Sequence, residues 1–253
     1  MPSQVHQRLL DLKSSGEKIA ALTAYDYPGA RLLDGAGVDL ILVGDSLGMV
    51  VLGYEDTTSV TMADMLHHTR AVRRGTKQAV LVSDLPYGAY ADPGDALTNA
   101  RLLVEAGAEA VKLEGATPHL DAISAIVDDG IPFVGHLGML PQHVREEGGY
   151  RKKGKTPEGA NRLINDARDL QAAGASAIVL ESMVATVADE ITAAVDIPTI
   201  GIGAGKNTDG QVLVTHDLIG AFPWFCPSFA PTYTQTAQAT TAAVERWIAE
   251  LKS

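Results

Sequence analysis

The sequence predicts a (β/α)8 barrel of the TIM type, and three observations carry the prediction. Short apolar runs without polar alternation recur along the 253 residues, as strands buried on both faces require. Helical stretches lie between them and end in the repeated joint Ala36-Gly37, Ala106-Gly107, Asp129-Gly130 and Ala173-Gly174, where glycine stops a helix and turns the chain into the next strand. The length also suits one such barrel, typically about 250 residues.

Residues 3–16 read as an amphipathic helix, with Val5, Leu9, Leu10 and Leu12 on one side and Gly16 as its stop, capping one end of the barrel. Strands follow at 19–24, 40–43, 79–83, 110–113, 132–135, 177–180, 198–202 and 218–222, and a last helix at 234–251 closes the chain. Helix starts are regular. Asp92-Pro93, Thr117-Pro118 and Thr156-Pro157 each set a capping side chain before proline, and Thr61 with Asp64 has the spacing of a capping box. No linker or charge block interrupts the series, so residues 1–253 read as a single α/β barrel domain.

Composition excludes several function classes. A formal net charge of -11 disfavours nucleic-acid binding, which calls for a basic stripe. The lone Cys226 rules out an internal disulfide and a multi-cysteine metal site. Residues 1–18 hold no apolar segment of an export signal, and no apolar run nears the ~20 residues of a membrane span. The chain therefore reads as a soluble, cytoplasmic small-molecule protein.

Barrel chemistry sits at the C-terminal ends of the strands. Here those ends bring Asp45-Ser46, Asp84, Lys112 with Glu114, His136, and Glu181 to one rim. Asp45, Asp84 and Glu114 would repel one another unless a cation lay among them, and hard oxygen donors without cysteine select Mg2+. The plainer reading makes each a helix cap or a lysine partner. Lys112 and Glu114, two apart on a strand, face the same way. Lys112 balances those carboxylates or holds a substrate carboxylate. Glu181, after four apolar residues, reads as a general base or as a salt-bridged loop glutamate, and His136 as a donor to a substrate oxygen or as a core histidine. Gly44-Asp45-Ser46-Leu47 spells an esterase nucleophile block, but no suitably placed base accompanies it. The run from Gly201 to Gly205 comes too late for a dinucleotide fingerprint and reads as an anion cradle or a tight turn.

Taken in order, the blocks Thr23-Ala24-Tyr25-Asp26-Tyr27, Val43-Gly44-Asp45-Ser46-Leu47-Gly48, His68-Thr69-Arg70-Ala71-Val72, Val111-Lys112-Leu113-Glu114-Gly115, Gly135-His136-Leu137-Gly138 and Ile200-Gly201-Ile202-Gly203-Ala204-Gly205 closely resemble the ketopantoate hydroxymethyltransferases. The resemblance covers about residues 18–220. It implies a barrel like that of phosphoenolpyruvate mutase and isocitrate lyase, one Mg2+ per subunit, a homo-oligomer that is usually a decamer, and 5,10-methylenetetrahydrofolate as co-substrate. The implied reaction carries a hydroxymethyl group to 3-methyl-2-oxobutanoate, giving ketopantoate for pantothenate and coenzyme A. By the same resemblance Asp45 and Asp84 bind the metal, with Glu114 at or just beyond its ligand set. Ser46 and Lys112 hold the oxo acid together with Asp45 and Asp84, Glu181 takes the C3 proton, and His136 serves the developing oxyanion.

This chain departs from the family pattern in its C-terminal block, where Ser228 and Pro231 replace two basic residues. Gly88, Met139-Leu140 and His143 also stand where the family usually has Met, Leu-Thr and Ser. The basic loop at residues 148–155 reads as a receiver for the anionic folate tail or as a solvated loop. Two competing readings are another Mg2+-dependent carbon-carbon lyase acting through an oxo-acid enolate, and a non-catalytic paralogue that binds an oxo acid.

Overall fold

The computed structural model describes residues 3–253; Met1 and Pro2, part of the stretch read for an export signal, lie outside the described residues. The first helix, α1 (Gln4–Ser15), is capped by the Ser3 hydroxyl and stopped by Gly16 in the left-handed conformation. After it the chain alternates: β1 (Ile19–Thr23), α2 (Tyr27–Ala36), β2 (Leu40–Val43), the short α3 (Leu47–Val50), α4 (Met62–Gly75), β3 (Val80–Asp84), α5 (Pro93–Glu105), β4 (Ala110–Lys112), α6 (Leu120–Asp128), β5 (Phe133–Gly138), α7 (Pro157–Ala172), β6 (Ala177–Glu181), α8 (Ala185–Ala194), β7 (Thr199–Ile202), β8 (Gly210–Leu213), α9 (Thr215–Leu218) and α10 (Thr236–Lys252). The strands close in sequence order into a barrel, with parallel pairing recorded from β1 through β8. Among the described residues, no helix is long and apolar enough to cross a membrane.

By contacts the chain divides into two compact units, Met1–Val212 and Leu213–Ser253. In the first unit apolar side chains form two layers. Inward positions, including Ala21, Leu40, Leu42, Val80, Val82, Val134 and Val179, fill the barrel and meet buried Leu9 of α1, with Val5 and Leu12 beside it. Leu9 thus seals the lower mouth, and Lys13 ties α1 there through the carbonyls of Val195 and Ile197. Outward positions such as Ile41, Leu81, Val111, Phe133 and Ile178 pack with Met65, Leu103, Ile126 and Leu170 from the helices. In the second unit, the backbone N–H of Tyr233 bonds to the Leu218 carbonyl, and α10 exposes Val244, Trp247 and Leu251.

Most of the predicted helix joints hold: Gly37, Gly107, Gly130 and Gly174 all have positive φ, and Thr61 with Asp64 makes the capping box. Thr117-Pro118 instead opens a single 3-10 turn, and α6 starts after it with no side-chain cap. The eighth strand is also corrected. It lies at Gly210–Leu213; of the predicted 218–222 stretch, Leu218 ends the short helix α9 and the rest is turn and loop. Gln211 of β8 is exposed between buried Gly210 and Val212, so the strand lacks a continuous apolar run, and its first residue must be glycine because a Cβ there would strike the Ile19 carbonyl and side chain across the closure. Sequence placed the ends of β3, β5 and β6 too early. Asp84, His136 and Glu181 are strand residues, paired with Lys112, Val179 and Ile202.

Gly138 sets the site's most demanding joint. It pairs with Glu181 at a φ of 101°, and an added Cβ would collide with the Glu181 carbonyl, which accepts the Met139 N–H at 2.9 Å. Gly149 also has positive φ, but its side faces open space. Gly138→Ala is expected to cost about 2 kcal/mol or more, clearly beyond Gly149→Ala, which meets only the left-handed penalty of ~1–2 kcal/mol. Denaturant midpoints compare the two, and equal losses would refute the steric argument.

Candidate active site

Strand alternation turns the barrel interior from apolar to charged over one layer. Above Leu42, Val82, Ala110, Val134 and Val179, the next inward positions are Gly44, Asp84, Lys112, His136 and Glu181. Parallel register sets Asp84 beside Lys112, and the Lys112 Nζ lies 3.1 Å from Asp84 Oδ1. The same ammonium is 3.3 Å from His136 Nδ1. Just past β4, the Gly115 N–H bonds to the His136 carbonyl, which keeps Glu114 beside that ring, Oε1 at 3.6 Å from Nδ1. Glu181 Oε2 lies 3.2 Å from His136 Nε2 on the ring's other side. From the β2 end, the Asp45 backbone N–H donates to Asp84 Oδ2 at 3.1 Å. Ser46 stands at the flank, its Oγ 2.8 Å from the Tyr25 hydroxyl.

All the rim residues singled out in the sequence therefore meet in one connected cluster, or, for Ser46, immediately beside its Asp45. Burial then sets their charge states. Asp45, Asp84, Lys112, Glu114 and His136 are each at most 5% exposed, and solvent reaches the edge of Glu181. Burial would lower the Lys112 ammonium, but Asp84, Glu114 and Asp45 outweigh it and push it up to about 12. Burial, reinforced by Asp84, pushes Asp45 up to about 7. Glu114 is held well above the ordinary carboxyl range by burial and then by Asp45. Glu181 rises to about 7 through burial, partly offset by Lys112. His136 is held well below its ordinary value by burial and by the Lys112 charge. The ring is therefore neutral. Because Nδ1 faces the donating ammonium, the proton belongs on Nε2, toward Glu181.

Four carboxyl groups thus share one permanent cation. Of their buried oxygens, Glu114 Oε1 has no hydrogen-bond partner and Asp84 Oδ1 has only the charge contact of the Lys112 ammonium at 3.1 Å. One ammonium among four carboxyl groups leaves negative charge unmatched when they ionise, which is costly in a dry site unless a further cation meets it. The donor set fits Mg2+, which commonly takes one or two carboxylates and completes its octahedron with water or substrate oxygens. Among the described residues, no three His, Cys, Asp or Glu side chains form a ready-made metal cage, and one Glu114 oxygen is already engaged by the Gln142 N–H at 3.0 Å. Asp45 and Asp84 could hold the ion, and Glu114 could offer it the remaining Oε1.

Sequence reasoning missed Gln142 and Tyr90. Gln142 is buried in the 3-10 turn Pro141–His143, between Asp45 and Glu114, and its amide oxygen accepts from Tyr90. A glutamine in a Pro-Gln-His turn carries no chemical signature, and its partners are far away in sequence. Two loops are clasped by Arg145, whose Nε and guanidinium N–H donate to Asp56 at 2.6 and 3.1 Å. The basic loop is anchored at Lys153, through the Ser182 carbonyl and Glu147, while Arg151 and Lys152 point to solvent. The glycine run after β7 bonds to its own neighbours, with Gln211 Nε2 donating to the Gly205 carbonyl and Thr208, which suits the tight-turn reading.

The family model described as ketopantoate hydroxymethyltransferase matches residues 4–253. A 3-methyl-2-oxobutanoate hydroxymethyltransferase of Nitratidesulfovibrio vulgaris (strain DP4) is 54% identical over 239 residues, 93% of this chain and 78% of that protein. One of the same description from Acetivibrio thermocellus is 51% identical over 246 residues, 96% and 87% of the two chains. Among solved structures, phosphoenolpyruvate phosphomutase of Streptomyces platensis subsp. rosaceus superposes with a TM-score of 0.65 at 16% identity, over 87% of this chain and 84% of that one. A phosphonopyruvate hydrolase complexed with oxalate and Mg2+ gives 0.64 at 16%, over 100% and 87%. These two likenesses bear on the fold alone, the closed barrel of eight parallel strands.

Proposed function

The chain belongs to the ketopantoate hydroxymethyltransferase family, and from that premise we propose how its rim residues divide the work. The reaction places a hydroxymethyl group on C3 of 3-methyl-2-oxobutanoate to give ketopantoate for pantothenate biosynthesis, with 5,10-methylenetetrahydrofolate as the one-carbon donor. Family membership over nearly the whole chain favours the transferase over the lyase and the non-catalytic paralogue. The observation that carries the division of roles is the connected cluster of Asp45, Asp84, Lys112, Glu114, His136 and Glu181 around a single ammonium.

Asp45 and Asp84 would hold Mg2+, with Glu114 at or just beyond the ligand set. When bound, that ion supplies Lewis-acid polarisation of the 2-oxo group, which acidifies the C3 proton. Lys112 and Ser46 hold the oxo acid, the ammonium facing its carboxylate. Glu181 takes the C3 proton; its burial brings its proton affinity near neutrality, where a carboxylate is both ionised and basic enough to act. His136, neutral and bearing its proton on Nε2, stands beside the base as a donor for the oxygen on which charge develops. Water takes the methylene carbon off the folate as formaldehyde, breaking both C–N bonds and leaving its two hydrogens on the tetrahydrofolate nitrogens. The C3 carbanion then adds to that carbon, and the new alkoxide takes up the proton that Glu181 had removed. Arg151 and Lys152 are available to the acidic folate tail.

A proton NMR time course in D2O tests the scheme, with 3-methyl-2-oxobutanoate, methylenetetrahydrofolate and Mg2+, against a chelator control. A new hydroxymethyl signal that disappears with chelator is expected. Product formation unaffected by chelator would sink the metal role, and C3 exchange without product would sink the one-carbon step.

A further inference from the structure

Gln142 uses every hydrogen-bonding group of its side chain within the site, although it is not a candidate metal ligand or base. Its Nε2 donates to Asp45 Oδ2 at 2.8 Å and to the Leu85 carbonyl at 3.0 Å, and its Oε1 accepts the Tyr90 hydroxyl at 2.5 Å. Its backbone N–H reaches Glu114 Oε2 at 3.0 Å. The side chain is 2% exposed and Tyr90 4%. The pattern admits one amide orientation, because a flip would turn the oxygen toward a carboxylate and a carbonyl at once. Tyr90 locks that orientation. Its ring stands edge-on to His119 at 5.0 Å.

We propose that Gln142, locked by Tyr90, is a positioning residue that fixes Asp45 and Glu114 so that the remaining carboxylate oxygens of the cluster face a divalent cation. The proposal rests on the metal role of Asp45 and Asp84 given above. One oxygen of each clamped carboxylate is taken by Gln142, one by the amide and one by the backbone, which leaves Glu114 Oε1 without a partner. A neutral amide suits the task. A lysine at this position would cancel the charge that the cation needs, and a glutamate would face Asp45 with like charge. Groups that orient metal ligands in this way typically affect affinity by about 10–100-fold.

Calorimetric titration of the full chain with Mg2+, alone and with saturating oxo acid, tests the assignment in Gln142→Met, Tyr90→Phe and the double variant. Gln142→Met keeps the volume and the backbone bond to Glu114 while removing the amide, so it should weaken Mg2+ by about 10–100-fold. Added Mg2+ should restore most of kcat, a rescue that general structural damage would not permit. Tyr90→Phe should weaken Mg2+ at least about threefold, and should add less than about twofold in the Gln142→Met background because the two act as one unit. Wild-type affinity in either single variant overturns the proposal, including the case in which Gln142→Met does not fold and Tyr90→Phe alone is measured. No Mg2+ binding by the wild-type chain would overturn the metal assignment and this inference with it. Normal binding by Gln142→Met alongside loss in Asp84→Asn would overturn this inference alone.

Discussion

Glu181→Gln is expected to lower kcat by about 10³-fold, the middle of the range for loss of a general base, while changing the affinities for Mg2+ and the oxo acid less than about threefold. Glutamine keeps the shape and polarity of the side chain but cannot accept the proton. The pH profile gives the second arm. The Glu181 carboxyl is raised from the ordinary range to about 7, by burial against the opposing pull of Lys112. Below that pH the group is protonated in the free enzyme and cannot act as a base. The profile is read at saturating Mg2+, so that the ion keeps Asp45, also raised to about 7 by burial, in its ionised form. Wild-type kcat/KM should therefore fall about tenfold per pH unit below 7 and level off above it, and the residual activity of Glu181→Gln should lose that limb. A variant with near-normal turnover, or one that keeps the limb, would show that another group takes the proton.

The second large effect belongs to Asp84. On the proposed metal role, its loss should weaken Mg2+-dependent oxo-acid binding by more than about 100-fold, because Asp84 would help to hold the ion through which the oxo acid binds. Asp84→Ala should also cost about 3–5 kcal/mol of stability by leaving the buried Lys112 ammonium without its nearest partner, 3.1 Å away. Asp84→Asn keeps the side-chain shape, and its amide oxygen can still accept the Asp45 N–H that now bonds to Oδ2. Its amide nitrogen then faces the Lys112 ammonium, so it reads the loss of charge without the loss of the side chain. Calorimetry with oxo acid and Mg2+ reads the first effect, denaturant melts the second. Unchanged oxo-acid affinity in Asp84→Asn would refute the metal assignment.

Much of this site was legible because a parallel barrel converts one-dimensional spacing into position. A strand of apolar residues that ends in Asp, Lys or Glu must deliver that side chain to the common rim, so Asp84, Lys112 and Glu181 were readable one strand at a time. The resemblance then gave those residues roles that spacing alone left open. Sequence failed where the local pattern was weak. β8 carries an exposed glutamine, Gln211, between its buried positions, and its defining feature is a glycine that makes room for Ile19, a contact with a residue nearly two hundred positions earlier. Gln142 was invisible for a related reason: its importance lies in Asp45, Leu85, Tyr90 and Glu114, each on a different segment. Even the charge states were beyond reach, since the neutral form of His136 follows from the ammonium at 3.3 Å and from burial, not from its neighbours in sequence.

The apolar layers beneath Lys112 and the seal made by Leu9 close the charged layer from below. On the proposed roles, a substrate seated above it would cover the route by which a proton held on Glu181 trades places with solvent. The base can then hand the same proton back to the carbon it came from before any exchange with water. Isotope uptake from D2O will consequently count only the protons that escape, and will understate how often the C3–H bond is broken.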